Sequence, residues 1–506
     1  MGRSRRQPWR AASPVARLAP MAPVPVDGGT LSIFVYIRMD SVIALTPHHT
    51  IHCPDPSLSH RHLTGEPASV TIFSTFSPSV RSNLAVLFAA GLCFWSGLAG
   101  LLPTLPLFIE TLGGSGQQIG IVMASFAIGL LVARPTLARL ADTRGRKLVM
   151  IIGLIAVAVA PFGYLLVQML PHMQMPMSLG GRAFTVDGSI LAMIAIRAFH
   201  GLSIAAFVVA YGALVVDLAP PANRGELIGY MTLVNPIGLA LGPALGGFLY
   251  EASGFRVAFA AMGLLGLLGL GLVLRLEEPY QPQTDRQGAD AVTFWGQLWS
   301  GRVRTPAMIL LLVGLAFGTL STFVPLYVRE AGVGLNVGLI YTASAVASFI
   351  SRLVVGRASD RLGRGRFITA SLAIYSLAMG MFWLADSTPL FLLAGVIQGM
   401  AGGTLIPMIA ALMGDRSSPA DRGRTFGLAM VGFDVGIALA GPIFGALADA
   451  ISYRGIFGLS GVMTLVGLVI FITASSKDLP HSLRFALAEG RDIYAVDGWQ
   501  GPAQPD

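Results

Sequence analysis

Charge is scarce in this chain, and acid is scarcest inside its long apolar runs. Charged residues make up 12% of the 506 and hydrophobic residues 54%, with a mean hydropathy of +0.69. A soluble chain carries about 25% charged residues, so this composition excludes an ordinary globular protein and describes one dissolved in a bilayer. Cysteine is nearly absent: Cys53 and Cys93 are the two, which excludes a disulfide framework and a thiolate metal site. No nucleotide loop, metal-ligand cluster within the core or nucleophile–base arrangement is present, so neither an enzyme nor a cofactor is indicated. A net charge of +8 and a pI near 9.8 do not indicate nucleic acid, because the arginines sit in short loops and form no continuous basic face.

Residues 1–80 stand apart. They are rich in Pro, Ser, Arg and His, and their most apolar piece, Leu31 to Leu45, is interrupted by Arg38 and Asp40. That piece is too short and too charged to span. His48, His49, His52, His60 and His62 beside Cys53 allow a metal-binding tail; a disordered leader, or codons upstream of the true start, explains the same composition.

From Asn83 onward the chain is a series of apolar runs with short polar breaks, each long enough to cross a hydrocarbon core of ~30 Å as a helix. Twelve are read, near 83–109, 117–138, 148–170, 189–216, 226–249, 255–274, 307–328, 334–355, 368–386, 388–413, 426–448 and 453–474. They show no strand alternation, so an all-α membrane protein is expected. Loops after even-numbered runs are basic, including Arg139, Arg144, Arg146 and Lys147 after the second and Arg416, Arg422 and Arg424 after the tenth. Cytoplasmic loops carry the excess of Lys and Arg; both termini are therefore expected in the cytoplasm and the protein in the cell (inner or plasma) membrane.

The chain repeats itself. Arg134, Arg139, Asp142, Gly145 and Arg146 recur as Arg352, Arg357, Asp360, Gly363 and Arg364, each 218 residues later. Past an extra outward loop, Pro171 to Gly188, the offset falls to 198 or 199: Pro221-Ala-Asn-Arg-Gly225 matches Pro419-Ala-Asp-Arg-Gly423, and Gly242-Pro243 matches Gly441-Pro442. Matches held at fixed offsets imply a duplicated unit. The expected organisation is a six-helix bundle over 81–276, a polar linker over 277–305, a second six-helix bundle over 306–475 and a cytoplasmic tail over 476–506.

Tandem halves around a central site are a plan of secondary transporters. Over residues 83–475 the sequence resembles the major facilitator superfamily. Its Gly-x-x-x-Asp-Arg-x-Gly-Arg-Arg motif is matched nearly whole by Gly356, Asp360, Arg361, Gly363 and Arg364, while the first copy departs at Ala138 and Thr143. An Arg-x-x-x-Gly motif is matched by Arg197 and Gly201. Gly238, Gly242, Pro243, Gly246 and Gly247 on the fifth run resemble the signature of twelve-helix drug–proton antiporters. The resemblance implies alternating access, a small-molecule substrate, protons as coupling ion and a monomer. It suggests export of amphipathic compounds; a carrier of a sugar, organic acid or siderophore is the rival reading, and a transport-inactive receptor or scaffold the alternative from another class.

The candidate residues fall into two groups. Ionisable groups within spans are costly and mark function. Asp434 lies inside the eleventh run where the first half has Asn235, and Arg197 and His200 share one face of the fourth, with Gln398 matching His200 in the second half. These five are the candidates for proton coupling or a central polar site; Asp434 could equally be a structural partner for an arginine or a helix end, and His200 a packing residue. Asp142, Gly145, Arg146 and Asp217 in the first half, with Gly356, Asp360, Arg361, Gly363, Arg364 and Asp415 in the second, are expected to form a conformational latch, unless the arginines only enforce topology. The glycines of the fifth run permit close helix approach, and Pro243 a kink.

Overall fold

A computed structural model describes residues 77–170, 174–179, 182–219, 224–278, 294–418, 421–487, 490 and 492–496, with backbone alone for 174–186, 224–225, 294–295, 356–357, 360–361 and 449. The histidine-rich leader lies outside these residues.

The first half comprises α1 (Pro78–Ala99), α2 (Leu105–Thr111), α3 (Gly116–Arg144), α4 (Arg146–Val167), α5 (Gly188–Leu218), α6 (Arg224–Met231) and α7 (Val234–Leu274). After the short α8 (Phe294–Leu298), the second comprises α9 (Arg304–Glu330), α10 (Val337–Leu362), α11 (Arg364–Leu384), α12 (Thr388–Asp415) and α13 (Arg422–Ala474). Eleven stretches among the described residues are long and apolar enough to cross a membrane. One of them, Glu226–Leu274, runs for 49 residues, about 73 Å at 1.5 Å per residue. It is broken at Gly254, where φ is +77°, so it supplies two crossings and the total is twelve. The corresponding break in α13 is at Ser452, φ +63°.

The duplication is therefore visible in the backbone. Gly145 ends α3 with φ +104° and Gly363 ends α10 with φ +86°, the left-handed turn that only glycine enters cheaply. Ser115 and Gln118 make a reciprocal cap at the start of α3, whereas Asn336 caps α10 through the Gly338 N–H.

One element departs from an all-helical reading. The loop between α4 and α5 carries an antiparallel hairpin, β1 (Gln174–Leu179) and β2 (Arg182–Asp187), with Gln174 opposite Asp187 and Leu179 opposite Arg182.

Within the first half α1 packs on α7, and α5 on α3 and α4; within the second α9 packs on α13, and α12 on α10 and α11. The halves meet along two seams, α3 against α13 and α7 against α10. One buried apolar cluster lies wholly in the first half. A larger one joins Phe108, Ile119 and Phe259, at the ends of first-half helices remote from the basic loops, to the second-half core.

The segment after α13 folds back. Asp478 caps α14 (Leu479–Ala486), and the Phe485 ring lies tilted against that of Phe471, centroids 6.0 Å apart, while the Ala486 carbonyl accepts from Thr369 Oγ1 at 3.0 Å. Beyond it Asp492 takes Arg416 in a two-pronged pair, Nε to Oδ2 at 2.6 Å and Nη2 to Oδ1 at 3.1 Å. The Arg302 and Ser475 carbonyls accept from Arg416 Nη1 and Nη2 at 3.0 and 2.9 Å. Tail, linker and the end of α12 are thereby fastened at one buried guanidinium.

Candidate functional site

Asp434, read from the sequence as a proton-coupling candidate or a structural partner for an arginine or a helix end, is paired with an arginine. Its Oδ2 lies 2.6 Å from Arg134 Nη1. Arg134 is ten residues from the end of α3 (144 minus 134) and Asp434 twelve from the start of α13 (434 minus 422), about 15 and 18 Å along the helices. The bond thus joins the two halves deep within the spans. The Asp434 side chain is 9% exposed and that of Arg134 36%, so one partner is sealed and the other open on one side. At the duplicate position no ion pair forms among the described residues: Arg352 stands for Arg134 and Asn235 for Asp434, and Arg352 Nε donates to the Gly403 carbonyl at 3.3 Å.

Arg197, His200 and their neighbours form a second cluster, inside the first half. Tyr164 from α4 places its hydroxyl 3.0 Å from His200 Nδ1, and Arg197 Nη1 lies 3.4 Å from the same nitrogen. The Arg197 guanidinium covers the Phe126 ring at 4.5 Å. Gly201 permits the crossing, since a Cβ there would meet the Phe126 carbonyl at 1.9 Å. Gln398 occupies the matching place in the second half, accepting from Ser344 Oγ at 2.7 Å and donating to the Tyr375 hydroxyl at 3.2 Å. The five polar candidates thus divide: Asp434 belongs to the seam between halves, Arg197 with His200 and Gln398 to the interior of one half each. Asn235 makes no side-chain contact among the described residues that joins either group.

The latch candidates pair within each half. Arg146 Nε meets Asp217 Oδ2 at 2.7 Å, and Arg364 pairs with Asp415. Each bond ties the start of one helix to the end of another in its own half, and neither of these pairs crosses a seam. In the first half Glu278 adds to the network, accepting from the Lys147 N–H at 3.2 Å and from that of Arg146. The Gly356, Asp360 and Arg361 side chains lie outside the described residues; Asp142 is exposed at the end of α3.

Among the described residues, the contacts between the halves other than Arg134–Asp434 gather on the face away from the basic loops. A Cβ at Gly120 would lie 2.1 Å from the Gly441 carbonyl, and one at Gly338 2.1 Å from that of Pro243. These are duplicate contacts, since Gly120 maps to Gly338 and Gly242-Pro243 to Gly441-Pro442. Thr342 Oγ1 donates to the Ala240 carbonyl at 2.7 Å and Arg329 meets Glu110 at 3.0 Å. Glu110 and Arg329 occupy matched positions, 219 apart, so their bond lies across the pseudo-symmetry axis. The glycine motif is shared between two tasks. Gly238, Gly242 and Gly246 admit α1 of the same half, their Cβ positions within 2.4, 2.5 and 1.9 Å of it, while Gly247 faces Asn336 of α10. Some aromatics of the spans are core: Phe94 stacks on Phe207 at 3.9 Å and Phe323 is fully buried.

A family model described as Major Facilitator Superfamily matches residues 87–338 and 334–499. The chain belongs to this family. Superfamily members are transporters rather than enzymes, and carry small molecules. Among curated relatives, the multi-drug resistance efflux pump PmrA of Streptococcus pneumoniae is 26% identical over 394 residues, covering 74% of this chain and 92% of that protein. Multidrug resistance protein MdtG of Escherichia coli is 28% identical over 417 residues, covering 77% and 92%. Among superfamily structures, a D-xylose–proton symporter superposes with a TM-score of 0.62 at 16% identity, over 80% of this chain and 99% of that one. A bacterial homologue of the human lysosomal transporter Spinster gives 0.60 at 16%, over 83% and 100%. At such identities these structures share the fold.

Proposed function

We infer that the protein exports small amphipathic compounds by alternating access, driven by protons entering as cargo leaves. The Arg134–Asp434 pair carries this reading. Proton uptake by Asp434 removes the charge that holds Arg134, so the α3–α13 seam is held in one protonation state and released in the other. Breaking a buried ion pair by losing one partner costs ~3–5 kcal/mol; with Arg134 open on one side, the lower end applies. Moving a two-state equilibrium from 1:99 to 99:1 takes ~5.5 kcal/mol, so one proton supplies about half of a full switch and cargo supplies the rest.

Efflux is supported by the printed names of the multidrug relatives and by the glycine motif. The excess of arginine in one set of loops supports a cytoplasmic position for that face and for both termini. The Gly120–Gly441 and Gly338–Pro243 contacts then lie toward the outer face. Everted vesicles test the direction: a pH gradient should drive accumulation of a fluorescent amphiphile in them, whereas uptake confined to right-side-out vesicles would make the protein an importer.

A further inference from the structure

Among the described residues the spans hold, more than two turns from a helix end or break, three arginines, Arg134, Arg197 and Arg352, and one carboxylate, Asp434. Every other described carboxylate lies within a turn of a helix end or break, or outside the helices. Asp434 compensates Arg134 alone, which leaves an excess of two positive charges. Arg352 has a carbonyl for a partner, and Arg197 has only neutral ones: His200, the Tyr164 hydroxyl and the Phe126 ring.

The polar atoms left over have one character. Arg197 is 6% exposed and its Nε has no acceptor; His200 is fully buried and its Nε2 has no partner. His200 Nδ1 faces two donors, Arg197 Nη1 and the Tyr164 hydroxyl, so the ring proton sits on Nε2. Both orphans are therefore donors wanting acceptors. The second half places Gly395 and Gln398 at the matching positions (197 plus 198, 200 plus 198), so this cationic, donor-rich character is not a by-product of the duplicated fold. In a medium of low dielectric, uncompensated charge acts over a long distance and favours the opposite sign.

We propose that the cargo is an amphipathic anion, an apolar body bearing a carboxylate or sulfonate. This rests on the export reading and narrows it: a cationic compound would meet an interior that already holds two positive charges in excess. The charge movement differs accordingly. With one proton in for each molecule out, a monoanion moves two charges across the membrane per cycle and a monocation moves none.

Three naphthalene probes, one sulfonate, one uncharged alcohol and one trimethylammonium, separate the possibilities in proteoliposomes of the full chain, with proton flux and current recorded. The sulfonate should evoke proton movement about tenfold or more faster than the trimethylammonium, at a rate that rises with imposed membrane potential. Arg352→Gln should reduce that preference several-fold and Arg352→Lys should restore it, which a merely structural role would not require. Proton-coupled export of the trimethylammonium probe at an equal or greater rate overturns the anion proposal and leaves the exporter standing. Absence of proton flux with all three probes removes the exporter and the anion proposal together.

Discussion

Asp492→Asn is the sharpest probe of the folded-back tail. The substitution keeps the shape of the side chain and removes its charge, leaving the Arg416 guanidinium buried against two carbonyls. Side-chain exposure at this pair is 0% for Arg416 and 5% for Asp492, so solvent does little to replace the lost carboxylate. Stranding a buried charge costs ~3–5 kcal/mol, though the carbonyls of Arg302 and Ser475 and the rings of Phe485 and Tyr494 near the guanidinium favour the lower end. For a unit of about 150–250 residues each kcal/mol moves the midpoint by about 2–4 °C, which at about 3 kcal/mol gives a fall of about 6–12 °C. The assay is the fraction of detergent-solubilised protein still monodisperse after heating. Arg416→Met with Asp492→Leu should recover much of the loss, because an apolar pair of similar volume replaces a buried ion pair at little cost. A midpoint for Asp492→Asn within about 2 °C of the native protein would refute the idea that the tail is fastened there.

The seam, the α3–α4 turn and the α14 cap each predict a measurable outcome as well. Gly120→Val would place its side chain where the Gly441 carbonyl already lies, 2.1 Å from a Cβ, so the halves could not close on that face. Export should fall by about tenfold or more while membrane insertion is retained, and a normal export rate would discount the seam. Gly145→Ala forces a side chain into φ +104° with the Glu278 carboxylate 2.9 Å away; a loss of at least about 1–2 kcal/mol is expected, read as a lowered unfolding midpoint. Asp478 accepts from the His481 N–H and ring, which holds its carboxyl below the ordinary carboxylate value. A depressed carboxyl stabilises above its unfolded value and ceases to as pH falls through the lowered one. Acid should therefore loosen α14, seen as tail proteolysis that Asp478→Ala shows already at neutral pH.

Much of this architecture is legible before any coordinates. Span lengths and the offsets of 218 and 198 give two six-helix halves, because a bilayer fixes helix length and duplication preserves the positions where backbones touch, such as Gly120 and Gly338. Contacts between the halves are harder to read. Arg134 and Asp434 are both noticeable in the sequence, but their pairing is 300 residues long and depends on which seam each helix faces. One clue is present in the repeat: Arg134 and Arg352 are duplicates, and so are Asp434 and Asn235, so the two pairs occupy equivalent seams. The latch residues show the opposite case. Charge alone groups Arg146 with Asp217 and Arg364 with Asp415, yet sequence does not say whether a pair crosses the seam, and these do not. The hairpin is signalled by Gly180-Gly181 between two short segments, a turn signature overshadowed by the apolar runs around it. The tail's role rests on one buried arginine among many arginines, which no local pattern distinguishes.

The central claim is that proton binding at Asp434 governs the seam held by Arg134. Proteoliposomes containing Asp434→Asn, loaded with a fluorescent amphiphile and exposed to an imposed pH gradient, address it most directly. The account predicts that the variant still exchanges the compound between the two sides but no longer accumulates it against its gradient, at any pH. Gradient-driven accumulation with the native pH dependence would contradict it.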